Sequence, residues 1–199
     1  MFEVVLATRN PNKFRELKAL LAMPGVRYRS LANFPWVPTV REHGRTFKEN
    51  AIAKAVTVAQ ATGRLAIADD SGLVVDALDG APGVRSARFA GGHGDDRANN
   101  TKLLRLLQGL PLSKRRACFQ CVLALASPER LLGVTEGTLI GSIATTPKGR
   151  RGFGYDPLFI APKLKQTVAQ LPSSVKNRIS HRAHAAGRMR RVLARMLPG

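Results

Sequence analysis

The stretch "LAIADDSGLVVDAL" at residues 65–78 decides how the chain is built. Two apolar runs of the kind found in buried strands lie on either side of Asp69 and Asp70, although aspartate is depleted in strands. We predict one strand over 65–69 and a second, short strand within 71–78. Because successive side chains of a strand point to opposite faces, the two carboxylates are expected to face opposite ways.

Strand and helix signals alternate before this stretch. Residues 3–8, "EVVLAT", predict a buried strand, and the apolar spacing of residues 14–22, "FRELKALLA", predicts a helix. Residues 46–62 predict a second helix, which begins with the capping box "TFKE" and ends before Gly63.

Patterns typical of both helices and strands also follow residues 65–78. Asp95 or Asp96 is expected to cap a helix through "RANNTKLLRLLQGL", and residues 116–126 and 130–144 predict a long antiparallel hairpin. A last helix is expected to begin near Ser180. One hairpin among strand-helix pieces predicts an α/β fold, with a mixed β-sheet flanked by helices on both faces.

The strongly basic composition narrows the choice of partners. The net charge is +19, from 32 Lys and Arg against 13 Asp and Glu. This charge suggests nucleic acid, an acidic membrane surface or a phosphorylated small molecule as partner. An Arg-rich proteome would explain the same balance, because 22 of the basic residues are Arg. Nucleic acid is not expected as the main partner, since no binding module is recognisable and aromatic residues make up only 6%.

Hydropathy and cysteine spacing favour an ordinary cytoplasmic protein. No apolar run approaches the roughly 20 residues that cross a bilayer, and the amino terminus "MFEVVLATRN" lacks the pattern of a signal peptide. We therefore expect no membrane partner. Cys118 and Cys121 form a CxxC motif that suits redox or zinc chemistry. In a strand these positions point to opposite faces, so we expect two ordinary strand cysteines.

The stretch "TRNPNK" at residues 8–13 is a candidate phosphate site. A strand ends, a turn exposes backbone N–H groups and a helix begins, an arrangement that attracts anions. Thr8, Asn10 and Asn12 add neutral donors, and Lys13 adds a positive charge. A polar turn without any ligand fits the same residues. The chain has no GxxxxGKS or GxxxxGKT motif, which disfavours phosphoryl transfer on a P-loop.

Asp69 and Asp70 form a candidate metal site. One carboxylate at the end of a strand can point into the crevice where open α/β sheets bind ligands. A carboxylate that faces phosphates needs a cation between them, and Mg²⁺ suits hard oxygen ligands. An Asx-turn beside a surface carboxylate fits equally well. Glu42, in the loop "REHGRTFKEN", is either a second metal ligand or a solvated charge.

Two later stretches are candidates for nucleobase recognition. Residues 151–159, "RGFGYDPLF", combine glycines that let the backbone approach a ligand with aromatic faces and a carboxylate. Packing of the same rings on the core is the alternative. Residues 176–182, "KNRISHR", place donors near a helix start that would match the carbonyl oxygens of a purine. The candidates are Phe153, Gly154, Tyr155, Asp156, Lys176, Ser180, His181 and Arg182.

Together these stretches resemble the inosine/xanthosine triphosphate pyrophosphatases, a family that cleaves nonstandard purine nucleoside triphosphates. The motifs "ATRNPNKFRE", "TFKENAIAKA", "ADDSGLVVDALDGAPGVRSARFAG", "FGYDPLF" and "KNRISHR" occur in the same order over nearly the whole chain. The resemblance implies one elongated domain over residues 1–199, with two lobes and the active cleft between them, assembled as a homodimer. It also implies a reaction that requires Mg²⁺, in which water attacks the α-phosphorus of ITP, dITP or XTP and pyrophosphate is released.

The resemblance implies a role for each motif. Asp70 would bind Mg²⁺ and act as general base, Glu42 would bind the metal, and Ser71 would contact the substrate. Asp69 would brace the turn, and Phe153 would stack on the base. The triphosphate would lie against Thr8, Arg9, Asn10, Pro11, Asn12 and Lys13, and the base would also contact Gly154, Tyr155, Asp156, Lys176, His181 and Arg182.

The sequence departs from the family pattern at two positions and leaves two other functions open. His43 and Gln170 stand where the family usually has Thr and Glu. A related pyrophosphatase that prefers pyrimidine or modified nucleotides is one alternative function. A basic nucleic-acid-binding protein is the other, and it predicts steeply salt-dependent binding.

Overall fold

A computed structural model of the chain describes residues 2–40, 42–92 and 94–196. Short 3₁₀ turns connect its helices and strands. None of the helices within these ranges is long and apolar enough to cross a membrane. In chain order the elements are β1 Phe2–Leu6, α1 Pro11–Leu21, β2 Val26–Ser30, α2 Phe47–Thr62, β3 Leu65–Val75, α3 Asp96–Leu106, β4 Arg116–Ala126, β5 Leu131–Ile143, β6 Phe159–Ala161, β7 Gln166–Thr167, α4 Ser173–Ile179 and α5 His181–Ala194.

The strands form one seven-stranded sheet in the order β2-β1-β3-β4-β5-β6-β7. Strand β1 pairs in parallel with both β2 and β3, whereas β6 pairs antiparallel with β5 and with β7. Strands β4 and β5 are neighbours joined by the turn at 127–130, where the hairpin was predicted. The predicted α/β fold with a mixed sheet and flanking helices is therefore confirmed.

The predicted break at "ADDSG" is wrong, because β3 is a single strand of eleven residues that runs through both aspartates. Each carboxylate meets a cation from another element: Lys13 for Asp69, and Lys54 for Asp70. These ion pairs offset the poor strand propensity of aspartate, which a local sequence pattern cannot register. The carboxylates contact different helices, as the alternation along a strand predicts.

Helix α1 begins at Pro11, three residues before the predicted start. Proline suits the first position of a helix, where its missing N–H is not needed. The side chain of Asn10 caps the helix, since its Oδ1 accepts from the N–H groups of Asn12 at 2.9 Å and Lys13 at 3.1 Å. Half of the "TRNPNK" stretch is therefore helix, not turn.

Helix α2 follows its predicted boundaries. The Thr46 side chain accepts from the Glu49 N–H at 3.1 Å, and Gly63 ends the helix in the left-handed region at φ 62°. The Glu49 carboxylate accepts from the N–H of Arg45, at 2.7 Å, instead of from that of Thr46. The predicted cap is confirmed, and the reciprocal half of the capping box lies one residue earlier.

The carboxyl-terminal region holds one more helix than predicted. Helix α5 begins at His181, next to the predicted start at Ser180, but the short helix α4 precedes it. The Ser180 N–H donates to the carbonyl of Lys176 at 2.9 Å, which closes α4 just before α5 starts. Leu197, which continues the apolar pattern of the last helix, lies outside the described residues.

The described residues group into two compact units. The first unit comprises the chain up to Asp70, Cys121–Gly137 and the part from Arg182 onward; the second comprises Ser71–Gln120 and Thr138–His181. Each has its own apolar core. In the first the core includes Val4, Leu6, Leu17, Leu21, Ile67, Leu123, Leu125 and Met189; in the second it includes Leu73, Leu103, Leu107, Phe119, Ile143, Leu158 and Phe159. That residues 1–199 act as one domain with an active cleft stays a prediction.

A buried arginine ties the second unit together. Arg115 is only 4% exposed. Its guanidinium donates to the carbonyls of Leu107 at 2.7 Å, Leu110 at 3.0 Å and Ala144 at 3.0 Å. These carbonyls lie at the end of α3 and just after β5, so one planar side chain satisfies three backbone acceptors.

We expect Arg115→Lys to lower the free energy of unfolding by about 3 kcal/mol, because an ammonium cannot reach all three carbonyls and buried acceptors are costly to leave unpaired. Urea denaturation measures this. Arg116→Lys is the matched control, since the Arg116 side chain is 66% exposed and its replacement should change stability by less than about 0.5 kcal/mol. Equal effects of the two substitutions would contradict the role of Arg115.

Candidate active site

Asp69 is the polar centre of the first unit. Its side chain is fully buried, and Oδ1 accepts from Lys13 Nζ at 2.6 Å while Oδ2 accepts from Arg182 Nε at 3.0 Å. Arg182 Nη1 also lies 3.2 Å from Glu16 Oε2. Two cations and two carboxylates therefore alternate. Each charge has a partner of opposite sign, which offsets the cost of removing it from bulk water. Asp69 therefore holds helices α1 and α5 against β3, whereas the prediction was only that it supports a turn.

This network already uses two residues that the family resemblance assigns to the substrate. Lys13, a predicted phosphate ligand, has a side chain that is 22% exposed and pairs with Asp69. Arg182, a predicted ligand of the purine, is 5% exposed and pairs with Asp69 and Glu16. Their substrate contacts stay predictions, and the structure adds a clear structural task for both.

Asp70 faces helix α2. Its carboxylate is buried, and Oδ1 accepts from Lys54 Nζ at 2.8 Å while Oδ2 accepts from Asn50 Nδ2 at 3.1 Å. Lys54 Nζ also lies 2.5 Å from Glu42 Oε1. One ammonium thus brings together Asp70 and Glu42, the two residues predicted to bind metal.

Sequence reasoning missed Asn50 and Lys54. They are four residues apart on α2, so they share one face of the helix. The available signal was a pair of polar side chains on one face of the helix that follows the Glu42 loop. One is an amide that can form hydrogen bonds, and the other is an ammonium. From the sequence, both residues are assigned only to the helix that follows the capping box.

Gly44 allows the Glu42 loop to approach α2 closely. Its N–H donates to Asn50 Oδ1 at 2.8 Å, and a Cβ at this position would lie 2.6 Å from the same oxygen. Any larger residue would push the loop away from Asn50. The neighbouring His43, one of the departures from the family pattern, is exposed. The substitution at His43 therefore leaves the Gly44 contact intact.

Burial and neighbouring charges shift the pKa values of Asp70 and Lys54. Burial raises the pKa of Asp70 above its usual value, although Lys54 opposes this change. Burial alone would lower the pKa of Lys54, but the carboxylates of Asp70 and Glu42 outweigh it and the pKa rises. Lys54 therefore stays charged at neutral pH, where it faces both carboxyl groups.

This donor set fits a magnesium ion completed by substrate. Mg²⁺ is usually held by one or two carboxylates together with water and phosphate oxygens, rather than by an all-protein cage. Glu42 and Asp70 supply two hard oxygens that already converge on a cation. Within the described ranges no group of three or more His, Cys, Asp or Glu side chains could hold a metal alone.

The turn between β1 and α1 satisfies its own amides. Thr8 Oγ1 accepts from the Asn10 N–H at 3.1 Å, and Asn10 Oδ1 takes the next two N–H groups, those of Asn12 and Lys13. Arg9 donates to the carbonyl of Val37 at 2.6 Å. Three of the N–H groups predicted to be exposed, those of Asn10, Asn12 and Lys13, are thus used inside the turn. Phosphate binding by residues 8–13, including Pro11, stays a prediction.

In the second unit the aromatic loop is fixed by Asp156. Asp156 Oδ2 accepts from the Phe153 N–H at 3.0 Å and from Lys176 Nζ at 2.7 Å. The same ammonium lies 5.0 Å from the centroid of the Phe153 ring. Gly152 has φ 76°, and a Cβ there would lie 2.0 Å from Asp156 Oδ2, so only glycine fits. The structure therefore brings Phe153, Asp156 and Lys176 together, and their contact with a base stays a prediction.

Tyr155 and His181 pack inside the second unit. Tyr155 is 5% exposed, and its hydroxyl donates to the carbonyl of Ser86 at 2.9 Å. Burial raises its pKa well above the usual value. His181 is 3% exposed and stacks on Phe119 with ring centroids 4.8 Å apart. For Tyr155 the core packing that the sequence left open as an alternative is observed, and for both side chains contact with a base stays a prediction.

Both cysteines are free thiols on β4. Burial raises the pKa of Cys118 and Cys121. The Cys121 thiol lies 3.4 Å from Asp69 Oδ2. The predicted location of both cysteines in a strand is confirmed.

Gln170, the second departure from the family pattern, has a structural task. Its Oε1 accepts from the Thr167 N–H at 3.0 Å and lies 3.1 Å from Thr167 Oγ1. A carboxylate oxygen could accept the same bonds, so replacement of Glu by Gln keeps this turn. Ser71 is half-buried at the first position of the second unit.

Comparison with known proteins adds a family and several relatives. A model of the Ham1 family matches residues 4–192. A dITP/XTP pyrophosphatase of Desulforamulus reducens is 51% identical over 194 residues, covering 98% of this chain and 96% of that protein. A dITP/XTP pyrophosphatase of Geobacillus kaustophilus is 52% identical over 185 residues, covering 93% and 91%.

Solved structures agree with these matches. The structure of a HAM1 protein from Coxiella burnetii superposes with a TM-score of 0.88 at 41% sequence identity, covering 98% of this chain and all of that one. The Staphylococcus aureus Ham1 protein gives a TM-score of 0.86 at 40% identity, also covering 98% of this chain. The similarity extends through both units.

Proposed function

The chain belongs to the Ham1 family, and from this premise we propose that it is a nucleoside triphosphate pyrophosphatase acting on ITP, dITP and XTP. The products would be the nucleoside monophosphate and pyrophosphate. The observation that carries the proposal is the convergence of Glu42 and Asp70 on Lys54, in a chain about half identical to dITP/XTP pyrophosphatases. Paired hard oxygens of this kind suit a cation that also binds phosphate.

Glu42 and Asp70 would hold Mg²⁺. When bound, the ion would neutralise negative charge on the phosphates and make a water molecule more acidic. Lys54 would then keep the two carboxylates together and balance part of their charge. Asn50 would hold the second oxygen of Asp70, as it does in the structure.

Asp70 would act as the general base. The water oxygen forms a bond to the α-phosphorus, and the bond from that phosphorus to the bridging oxygen breaks, so pyrophosphate leaves. The proton of the water passes to the Asp70 carboxylate. A carboxylate is an adequate base here, because the bound metal would already have made the water more acidic.

The triphosphate would be bound mainly by the side chains of the first turn. The amides of this turn are already paired, so Arg9 and Lys13 would supply most of the attraction, with Ser71 as a further donor. Side-chain cations suit this task because charge-assisted hydrogen bonds to phosphate are roughly twice as strong as neutral ones. The remaining contacts would come from Thr8, Asn10, Pro11 and Asn12.

Recognition of the base would rest on Phe153 and nearby donors. A purine would stack on the Phe153 ring, which Asp156 and Lys176 hold in place. Inosine and xanthine carry a carbonyl where adenine carries an amino group, so donor side chains accept the former and reject the latter. The other contacts would come from Gly154, Tyr155, Asp156, Lys176, His181 and Arg182.

The proposed role is removal of deaminated purine nucleotides from the nucleotide pool before they enter DNA or RNA. A cytoplasmic location would place the enzyme with that pool. Assembly as a homodimer, which the family resemblance implies, belongs to the same proposal. A preference for pyrimidine or modified nucleotides is the alternative that a substrate comparison separates.

We expect the purified protein with Mg²⁺ to release pyrophosphate from ITP, dITP and XTP at least about 100-fold faster, in kcat/KM, than from ATP, because the donor set mismatches an exocyclic amine. Pyrophosphate and orthophosphate are quantified separately, and a chelator should stop the reaction. Release of orthophosphate alone, or a preference for pyrimidine triphosphates, would contradict the proposal.

We expect Asp70→Asn to lose about 10²–10⁴-fold in kcat, since the amide cannot take a proton from water. Glu129→Gln is the control, because Glu129 is an exposed carboxylate in the turn between β4 and β5. Steady-state kinetics on ITP measures both. Turnover close to that of the unchanged protein in Asp70→Asn would show that another group is the base.

A further inference from the structure

The backbone of Gly154 is held at both of its polar groups by α3. Its N–H donates to Asp96 Oδ2 at 2.6 Å, and its carbonyl accepts from Asn100 Nδ2 at 2.9 Å. Asp96 and Asn100 are four residues apart, so they lie on one face of the helix. We call this pair of contacts the Gly154 clamp.

From these contacts we propose that Asp96 and Asn100 are positioning residues for the nucleobase, because they fix the loop that presents the Phe153 ring. The inference rests on the proposed function and extends it to residues of α3. Neither residue needs to touch the substrate. The clamp would determine how tightly the base half of the nucleotide binds.

The loop needs such a clamp because glycines flank Phe153. Gly152 and Gly154 both have positive φ values, 76° and 63°. Glycine has more conformational freedom than any other residue, so an unsupported Gly-Phe-Gly segment would sample many ring orientations. Asp156 fixes the Phe153 N–H on one side, and the clamp fixes the next residue on the other. A ring held from both sides is ready to stack without further ordering.

Asp96 is not the residue that caps its own helix. The neighbouring Asp95 is the N-cap of α3, since its Oδ1 accepts from the Ala98 N–H at 2.9 Å. The sequence left open which of the two aspartates would cap. With Asp95 in that position, the Asp96 carboxylate reaches the aromatic loop instead. Asp95 thus stabilises the start of the helix, while the neighbouring Asp96 holds the aromatic loop.

The kinetic consequence differs from that of a catalytic residue. A stacked base is bound alike before and during the reaction at the α-phosphorus, so loss of its ordering weakens substrate binding without slowing the bound complex. We therefore expect Asp96→Ala and Asn100→Ala each to raise KM for ITP about five- to tenfold. The kcat value should stay within about twofold.

Three comparisons isolate the clamp. Asp96→Asn keeps an acceptor oxygen for the Gly154 N–H and should restore KM to within about twofold of the unchanged protein. Asp95→Ala removes the helix cap and should lower the melting temperature but not change KM. Inorganic tripolyphosphate, which has no base, should inhibit all variants with the same Ki.

Hydrogen exchange of the peptide around 151–158 gives a readout independent of turnover. It should quicken in Asp96→Ala and Asn100→Ala but not in Asp95→Ala. Unchanged exchange would overturn the clamp. A similar rise of KM in Asp95→Ala, or a loss in kcat with KM unchanged, would overturn the positioning role. If the unchanged protein releases no pyrophosphate from any nucleotide, the proposed function fails and the substrate role of the clamp falls with it, while the exchange data still report on the loop.

Discussion

The buried carboxylate of Asp69 is the interaction on which the first unit depends. A fully buried aspartate is tolerated only when cations and hydrogen bonds replace its water, and here Lys13 and Arg182 do so. These two partners come from α1 and α5, which are far apart in the chain. Asp69 therefore links the beginning and the end of the chain to β3.

The position of Asp70 follows from that of Asp69. Because side chains alternate along a strand, fixing one aspartate toward α1 and α5 turns the next toward α2. There Lys54 contacts both Asp70 and Glu42, which brings the two carboxyl groups together. The structural carboxylate of Asp69 and the proposed catalytic carboxylate of Asp70 can be neighbours in the sequence, because alternation along the strand places them in different surroundings. The Gly154 clamp repeats this arrangement with Asp95 and Asp96 at the start of α3.

Local patterns in the sequence predicted the elements whose causes are local. Helix α2 was predicted to within a residue, because its cap at Thr46 and its stop at Gly63 depend on neighbours in the chain. The break at Asp69 and Asp70 was wrong because the compensating cations are distant. Arg182 is 113 residues from Asp69, and no periodicity reports such a contact. The candidate site shows the same division: Asp70 and Phe153 stand in motifs for which the resemblance names a role, whereas Lys54 stands in the motif "TFKENAIAKA" without a named role and Asn100 lies outside the motifs of the resemblance.

The most direct test of this division of labour is the free energy of unfolding of Asp69→Asn compared with Asp70→Asn, measured by urea denaturation at neutral pH. We predict a loss of about 3 kcal/mol or more for Asp69→Asn, because Lys13 and Arg182 lose their shared carboxylate. We predict a change within about 1 kcal/mol for Asp70→Asn. An amide oxygen at position 70 can still accept from Asn50 Nδ2, and Lys54 keeps Glu42 as a partner. Equal losses, or a larger loss for Asp70→Asn, would contradict the account.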